Sequence, residues 1–195
     1  MTKTRLEAFS DGVFAILITI LVLELKVPHE ADWPALTPLA PVFLTYVLSF
    51  IFLGIYWNNH HHLFHTVDSV NGRILWANQH LLFWLSLIPF VTGWMGENHF
   101  ARTPTAIYGI VLLCAGLAYY ILVHAMIAQQ GPHSELAAAV GKDMKGIISP
   151  LLYIAGIGST FVHPGIAQGF YVLVVFMWLI PDRRIEKRVA TNHSP

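Results

Sequence analysis

Long apolar stretches set apart by short polar links constrain this chain more than any other feature. Six can be read: about Leu6 to Val27, Leu39 to Trp57, Ile74 to Trp94, Thr105 to Ala128, Ile147 to Val162 and Gly165 to Ile180. A helix needs about 20 apolar residues to cross a bilayer, with a range near 17–25. The second, third and fourth segments meet that length. The fifth is short. Only His163 and Pro164 separate it from the sixth, so these two read as a tight helical hairpin. Neither shows a polar face, which argues against a pair that never enters the membrane. The expectation is an all-α integral membrane protein with six transmembrane helices, built as a single domain over residues 1–195.

The placement of charge supports this. Charged residues make up 11% of the chain, against about 25% in a typical soluble domain. With 55% hydrophobic residues the chain is not disordered. Eleven Lys and Arg balance eleven Asp and Glu, so no basic excess exists to neutralise nucleic-acid phosphates. With six spans both termini share one side. That side holds Lys3, Arg5, Arg73, Lys142, Lys145, Arg183, Arg184, Lys187 and Arg188, whereas the other holds Lys26 and Arg102. The bias of basic residues toward the cytoplasm places both termini there. Glu7 and Asp11 ahead of the first apolar run, and Val27-Pro28-His29 behind it, do not fit a cleaved signal peptide. Cys114, the single cysteine, excludes an internal disulfide and reads as a small buried hydrophobe.

The first segment is unusual for a span. Thr4-Arg5-Leu6-Glu7 fits a capping box at its start. Lys26 suits the negative end of the helix dipole, and Pro28 stops propagation. Glu7, Asp11, Glu24 and Lys26 leave only the 12 residues Gly12–Leu23 uncharged, about 18 Å of helix. Charges at such depth face protein or water, not lipid. Ile16, Ile20 and Leu23 recur at i, i+4 and i+7 on one stripe that Gly12 continues, with Thr19 beside it. Two readings stay open on the pattern: a packing stripe in a bundle core, which is the commoner case, or a pore wall with a hydrophobic constriction.

Other polar groups gather at the end of the second segment, Trp57-Asn58-Asn59-His60-His61-His62-Leu63-Phe64-His65. His61 and His65, four apart, could share a metal, but no Cys and no HExxH glutamate completes a site, and Asp68 is the only close carboxylate. Hydrogen bonding at a membrane interface is the simpler role, and a pH-sensing role is conceivable. Asn78-Gln79-His80 reads as helix–helix hydrogen bonding, Pro89 as a kink, and His124 as a satisfied structural histidine. Gly109, Gly116, Gly156 and Gly158 allow close helix packing, and Gly156–Thr160 is no phosphate loop. No catalytic arrangement can be defended, so the chain does not read as an enzyme.

The run Arg5-Leu6-Glu7-Ala8-Phe9-Ser10-Asp11-Gly12-Val13-Phe14-Ala15-Ile16 resembles the R-x-x-x-F-S-D signature of the transmembrane protein 175 family, the lysosomal potassium channels and their bacterial relatives. Trp57-Asn58-Asn59-His60-His61 is similar to that family's W-x-N-H-H ending of the second helix. Asn78, Leu81-Leu82-Phe83 and Ser86-Leu87-Ile88-Pro89-Phe90-Val91-Thr92 resemble its third. The likeness covers roughly the first half of the chain. It implies a potassium-permeable cation channel in the membrane, expected in a bacterial plasma membrane. Two six-helix repeats pair in the animal members, so one repeat here implies a homotetramer. It also implies that helix 1 lines the central pore, with Ile16 as first constriction residue and Ile20 and Leu23 along the same stripe. Thr19 matches a threonine that supports potassium preference in some bacterial members. Arg5, Phe9, Ser10, Asp11, Asn59, His60 and His61 fall on the family's network around the pore mouth. No cofactor is implied beyond the permeant ion. Potassium would diffuse passively through the neck, with Asp11 and Glu24 keeping the mouths favourable to cations. The rivals are a secondary ion transporter, which predicts paired broken helices, and a metal-dependent membrane protein built on the histidine cluster.

Overall fold

The structure is a computed structural model and describes residues 2–67, 69–141 and 144–179. All its regular elements are helical. They are α1 (Lys3–Leu23), a 3-10 helix (Trp33–Leu39), α2 (Ala40–His65), α3 (Gly72–Ser86), α4 (Ile88–Glu97), α5 (Arg102–Gln130), α6 (Glu135–Val140), α7 (Met144–Ser159) and α8 (Pro164–Leu179). Among the described residues, α1, α2 with its 3-10 lead-in, α3 together with α4, and α5 are long and apolar enough to cross a membrane. The two remaining apolar helices, α7 and α8, have 16 residues each and fall short of that length. Six apolar segments are therefore present, but the crossing length is reached by four helical units.

Several local expectations change. α1 begins at Lys3 with Thr2 as its N-cap, and no side chain caps it, so the expected capping box at Thr4 and Glu7 does not form. Its backbone closes instead by Leu6 N–H donating to Thr2 O at 3.3 Å. α1 ends at Leu23, so Lys26 lies beyond the last turn and acts through Glu97, to which its ammonium donates. The third apolar segment divides at Leu87. Pro89 has no N–H to give to the preceding turn and crowds it, so one helix closes and another starts. Asn71 and Ser134 cap α3 and α6 by accepting from Ile74 N–H at 2.9 Å and Ala137 N–H at 3.1 Å. The α7–α8 hairpin turns at Thr160–His163, and α8 opens on Pro164, where a missing N–H costs nothing.

α5 is the hub, packed against α3, α4, α7 and α8, while α1 leans on α2, α3 and α4. Lipid tails are as apolar as leucine, so close fit and interhelical hydrogen bonds must hold such a bundle. Tyr171 of α8 shows how. A Cβ on Gly109 would lie 2.0 Å from its hydroxyl oxygen, and one on Gly156 2.7 Å from its Cε1, so both glycines are required for the ring to fit. Its hydroxyl donates to Thr105 O at 3.1 Å. Gly116 and Gly158 do not share this role: Gly116 has only ordinary distances around it and Gly158 nothing within 4 Å. Cys114 is half-buried, not fully so.

Candidate pore-lining helix and its polar network

α1 has two faces, because its 3.6-residue period sorts the sequence. Leu6, Ser10, Phe14, Leu17 and Leu21 are buried against the protomer. Arg5, Phe9, Asp11, Gly12, Ile16, Thr19, Ile20 and Leu23 lie on the bare side. Ile16 is 59% exposed, Ile20 39% and Leu23 73%. The Ile16 stripe is thus left largely exposed by its own protomer. No atom lies within 4 Å of where a Cβ on Gly12 would stand. The Thr19 hydroxyl donates to Ala15 O at 2.8 Å, which commits its proton and leaves its lone pairs facing outward.

Ser10, His60 and Asn78 form one chain of hydrogen bonds across three helices. Asn78 Nδ2 donates to Ser10 Oγ at 3.0 Å, and Ser10 donates on to Leu6 O at 2.9 Å. The other end of the Asn78 amide, Oδ1, lies 2.8 Å from His60 Nε2. The amide nitrogen is spent on Ser10, so Oδ1 accepts and His60 Nε2 carries the proton. All three side chains are buried, with Ser10 and Asn78 fully so. Phe14 meets the His60 ring edge-on at 5.7 Å and Phe64 stacks on it at 4.5 Å, which fixes the imidazole. Unsatisfied polar groups in such surroundings are costly, so the triad locks the register of α1 against α2 and α3.

A second link joins the bare side of α1 to α2. Trp57 Nε1–H donates to Asp11 Oδ1 at 3.0 Å, and the His61 ring stacks on Trp57 at 5.9 Å. His61 Nε2 in turn stands 3.0 Å from His65 Nε2. Among the described residues no three His, Cys, Asp or Glu side chains converge on a metal-binding geometry. Asp68 lies outside them, as do Lys142, Arg183, Arg184, Lys187 and Arg188.

The structure thus brings Ser10 and His60 together directly, and Asp11 and His61 through Trp57. It does not bring Asn59 into either group: its amide nitrogen donates back to Ile55 O at 2.9 Å. Arg5 and Phe9 are exposed beside them. Glu24 leans on α4, since a Cβ on Gly93 would lie 2.6 Å from its Oε2. Of Asn78-Gln79-His80, only Asn78 faces inward; His80 instead accepts from Trp84 Nε1–H at 2.9 Å on the outside. His124 is likewise exposed, with Nδ1 at 2.9 Å from Tyr120 O. Two contacts escaped the sequence reading. One is the Trp57–Asp11 bond. The other is a buried hydroxyl cluster in which Ser49 Oγ lies 2.6 Å from Thr92 Oγ1 and 2.9 Å from Tyr108 Oη. Hydroxyls inside apolar runs were the available signal.

The chain is similar to known membrane proteins over most of its length. The family model described as endosomal/lysosomal potassium channel TMEM175 matches residues 5–89. A potassium channel of Chryseobacterium sp. (strain P1-3) is 57% identical over 192 residues, 98% of this chain and 100% of that protein. A potassium channel of Streptomyces collinus is 38% identical over 203 residues, 97% of this chain and 98% of that protein. The human endosomal/lysosomal proton channel TMEM175 is 34% identical over 116 residues, 53% of this chain and 23% of its own length. Among solved structures, the lysosomal potassium-selective channel TMEM175 homolog from Chamaesiphon minutus superposes with a TM-score of 0.79 at 28% identity, covering 91% of this chain and 96% of that one. A relative this similar over nearly its whole length, together with the shared helical architecture, establishes that this chain belongs to the TMEM175 family of membrane ion channels.

Proposed function

We propose that this protein is a potassium-permeable cation channel that works as a homotetramer, with α1 of each subunit lining a central pore. One observation carries the reading: the side of α1 that the protomer leaves bare holds Ile16, Ile20 and Leu23 on one stripe, with Thr19 beside it and Asp11 at its α2 edge. Asp11 stands about 12 Å along the helix from its start, and a lipid-facing helix would not leave a carboxylate exposed beside an apolar stripe. Four copies around an axis bury the stripe on itself and leave a narrow apolar neck.

Ile16 sets the narrowest point. Thr19 stands about 4.5 Å further along, and its outward lone pairs supply oxygen to a partly dehydrated ion. Asp11, held by the Trp57 indole, keeps one mouth favourable to cations. Flux is passive, down the electrochemical gradient. The names of the Chryseobacterium and Streptomyces relatives, both potassium channels, support the choice of ion. Lys3, Arg5, Arg73 and Lys145 lie at one end of the bundle and Lys26 and Arg102 at the other. That asymmetry supports a bacterial plasma membrane location with the basic end in the cytoplasm.

Planar-bilayer recording of Ile16→Asn and Thr19→Ala tests the assignment. Ile16→Asn raises conductance and lowers the potassium-to-sodium permeability ratio several-fold, because a polar ring no longer demands dehydration. Thr19→Ala lowers the same ratio with less change in conductance. Unchanged conductance and ratio in both variants contradict it.

A further inference from the structure

Away from α1, a narrow cavity opens between α2, α5, α7 and α8 at the basic end of the bundle. Its empty space, open mouth included, is about 650 Å³. Centres of water-sized spheres reach only about 60 Å³ of it, so its bore is tight. Phe52, Tyr56, Tyr119, Tyr120, Tyr153 and Trp178 supply aromatic walls, and among the described residues no ionised side chain lines it.

Its polar groups are unevenly satisfied. Trp178 Nε1–H donates to Ser149 Oγ at 2.8 Å, and Ser149 donates to Lys145 O at 2.7 Å. Tyr119 Oη donates to Asn59 O at 3.3 Å. Tyr56 and Tyr153 have ring contacts instead: Tyr56 with Tyr119 at 6.1 Å, and Tyr153 with Phe52 at 6.5 Å and Tyr171 at 6.3 Å. Neither phenol hydroxyl has a hydrogen-bond partner among the described residues, although Tyr153 is only 3% exposed. The other deeply buried tyrosines are paired, Tyr108 with Ser49 and Tyr171 with Thr105. The two unpaired hydroxyls therefore belong to residues that line the same cavity. Gly116 keeps it open, since a Cβ there would stand 3.7 Å from Tyr56 Oη and 3.9 Å from Tyr153 Cε2.

We propose that this cavity binds an uncharged, membrane-partitioning amphiphile that carries one hydroxyl or carbonyl group. The lining side chains are uncharged and the one cation beside them, the Lys145 ammonium, sits over the Trp178 ring at 5.8 Å, so the walls favour an uncharged head. The aromatic walls accept a single alkyl chain or a flat ring. The Tyr56 and Tyr153 hydroxyls, and the Asn59 side-chain oxygen, supply the hydrogen bonds that the walls otherwise lack.

Tryptophan quenching by 8-bromo-1-octanol and 1-bromooctane, titrated onto the detergent-solubilised full chain, tests this. Trp178→Phe identifies the part of the signal that comes from the cavity. The expected result is saturable quenching of Trp178 by bromooctanol and at least a tenfold weaker half-saturation for bromooctane. Tyr56→Phe combined with Tyr153→Phe weakens bromooctanol about tenfold and leaves bromooctane unchanged, as expected for the loss of hydrogen bonding alone. Gly116→Leu fills the space and abolishes saturation by both. If Gly116→Leu does not fold, the tyrosine pair carries the test, because phenylalanine keeps the ring packing. Equal half-saturation of the two probes overturns the proposal in favour of a purely apolar cleft. Absence of a saturable Trp178 component overturns it in favour of water or a neighbouring subunit as occupant. The readout is binding, so it succeeds or fails independently of the pore assignment.

Discussion

Replacing Asn78 by leucine is the sharpest test of how α1 is held. Leucine keeps the branch of asparagine at Cγ but is bulkier, so no cavity opens, and some overpacking adds to the loss of hydrogen bonding. Two interhelical bonds disappear, to Ser10 at 3.0 Å and to His60 at 2.8 Å. Such bonds within membranes average about 0.6 kcal/mol each and reach about 1.7 kcal/mol. Ser10 keeps its bond to Leu6 O and loses little more. His60 fares worse, because it is 2% exposed and its Nε2–H has no other partner among the described residues. An orphaned buried donor costs about 1–3 kcal/mol. The total expected for Asn78→Leu is about 2–4 kcal/mol, read by equilibrium unfolding in mixed micelles. Adding His60→Phe removes the orphan and places a third phenyl ring between Phe14 and Phe64. The double variant should therefore recover about 1–2 kcal/mol relative to Asn78→Leu alone, a coupling that unconnected sites do not show. A loss below about 0.5 kcal/mol for Asn78→Leu, or strict additivity in the double variant, refutes the triad as the lock on α1.

Two further outcomes follow from the packing and the loop ends. Gly109→Ala drives a methyl into the Tyr171 hydroxyl and should cost about 1–3 kcal/mol by overpacking, whereas Gly158→Ala, with open space around it, leaves stability unchanged or higher; chemical denaturation compares the two. The Lys26 ammonium is raised above its ordinary value of 10.5 by the hydrogen bond to Glu97 and then by that carboxylate's charge. A raised lysine stabilises the fold fully below its unfolded value and ceases to do so as pH rises through the folded one. Wild type and Glu97→Gln should therefore differ slightly in Tm below pH 10.5 and converge above it. The difference should fade in about 0.5 M salt, because the pair is exposed.

Much of this organisation was legible in the residues, for physical reasons that differ from place to place. The six apolar segments, the break at Pro89 and the turn at His163-Pro164 follow from chain stiffness and from proline's missing N–H, which are local. The single stripe of Ile16, Ile20 and Leu23 follows from helical period alone. That this stripe is left bare does not, because exposure depends on which face the rest of the bundle claims. The start of α1 was misread because Thr4-Arg5-Leu6-Glu7 has capping-box chemistry, but the helix continues back to Lys3 and leaves Thr4 inside. Ser10, His60 and Asn78 each stood out as polar groups in apolar runs. Their joining into one triad depends on how three helices pack, which spacing along the chain cannot specify. Asn59 illustrates the converse: it sits beside His60 in sequence, yet one step along a helix turns it about 100° away, toward its own backbone.

The central claim, that the bare face of α1 lines the ion path, is tested most directly by thiol accessibility at position 16. In a Cys114→Ala background, Ile16→Cys channels are recorded in a bilayer while a charged methanethiosulfonate is applied, and modification is verified by mass. The account predicts that modification at the narrowest ring abolishes or sharply reduces single-channel potassium current, and that potassium in the pore slows the reaction. Complete modification with unchanged current would place the Ile16 stripe outside the ion path and contradict the account.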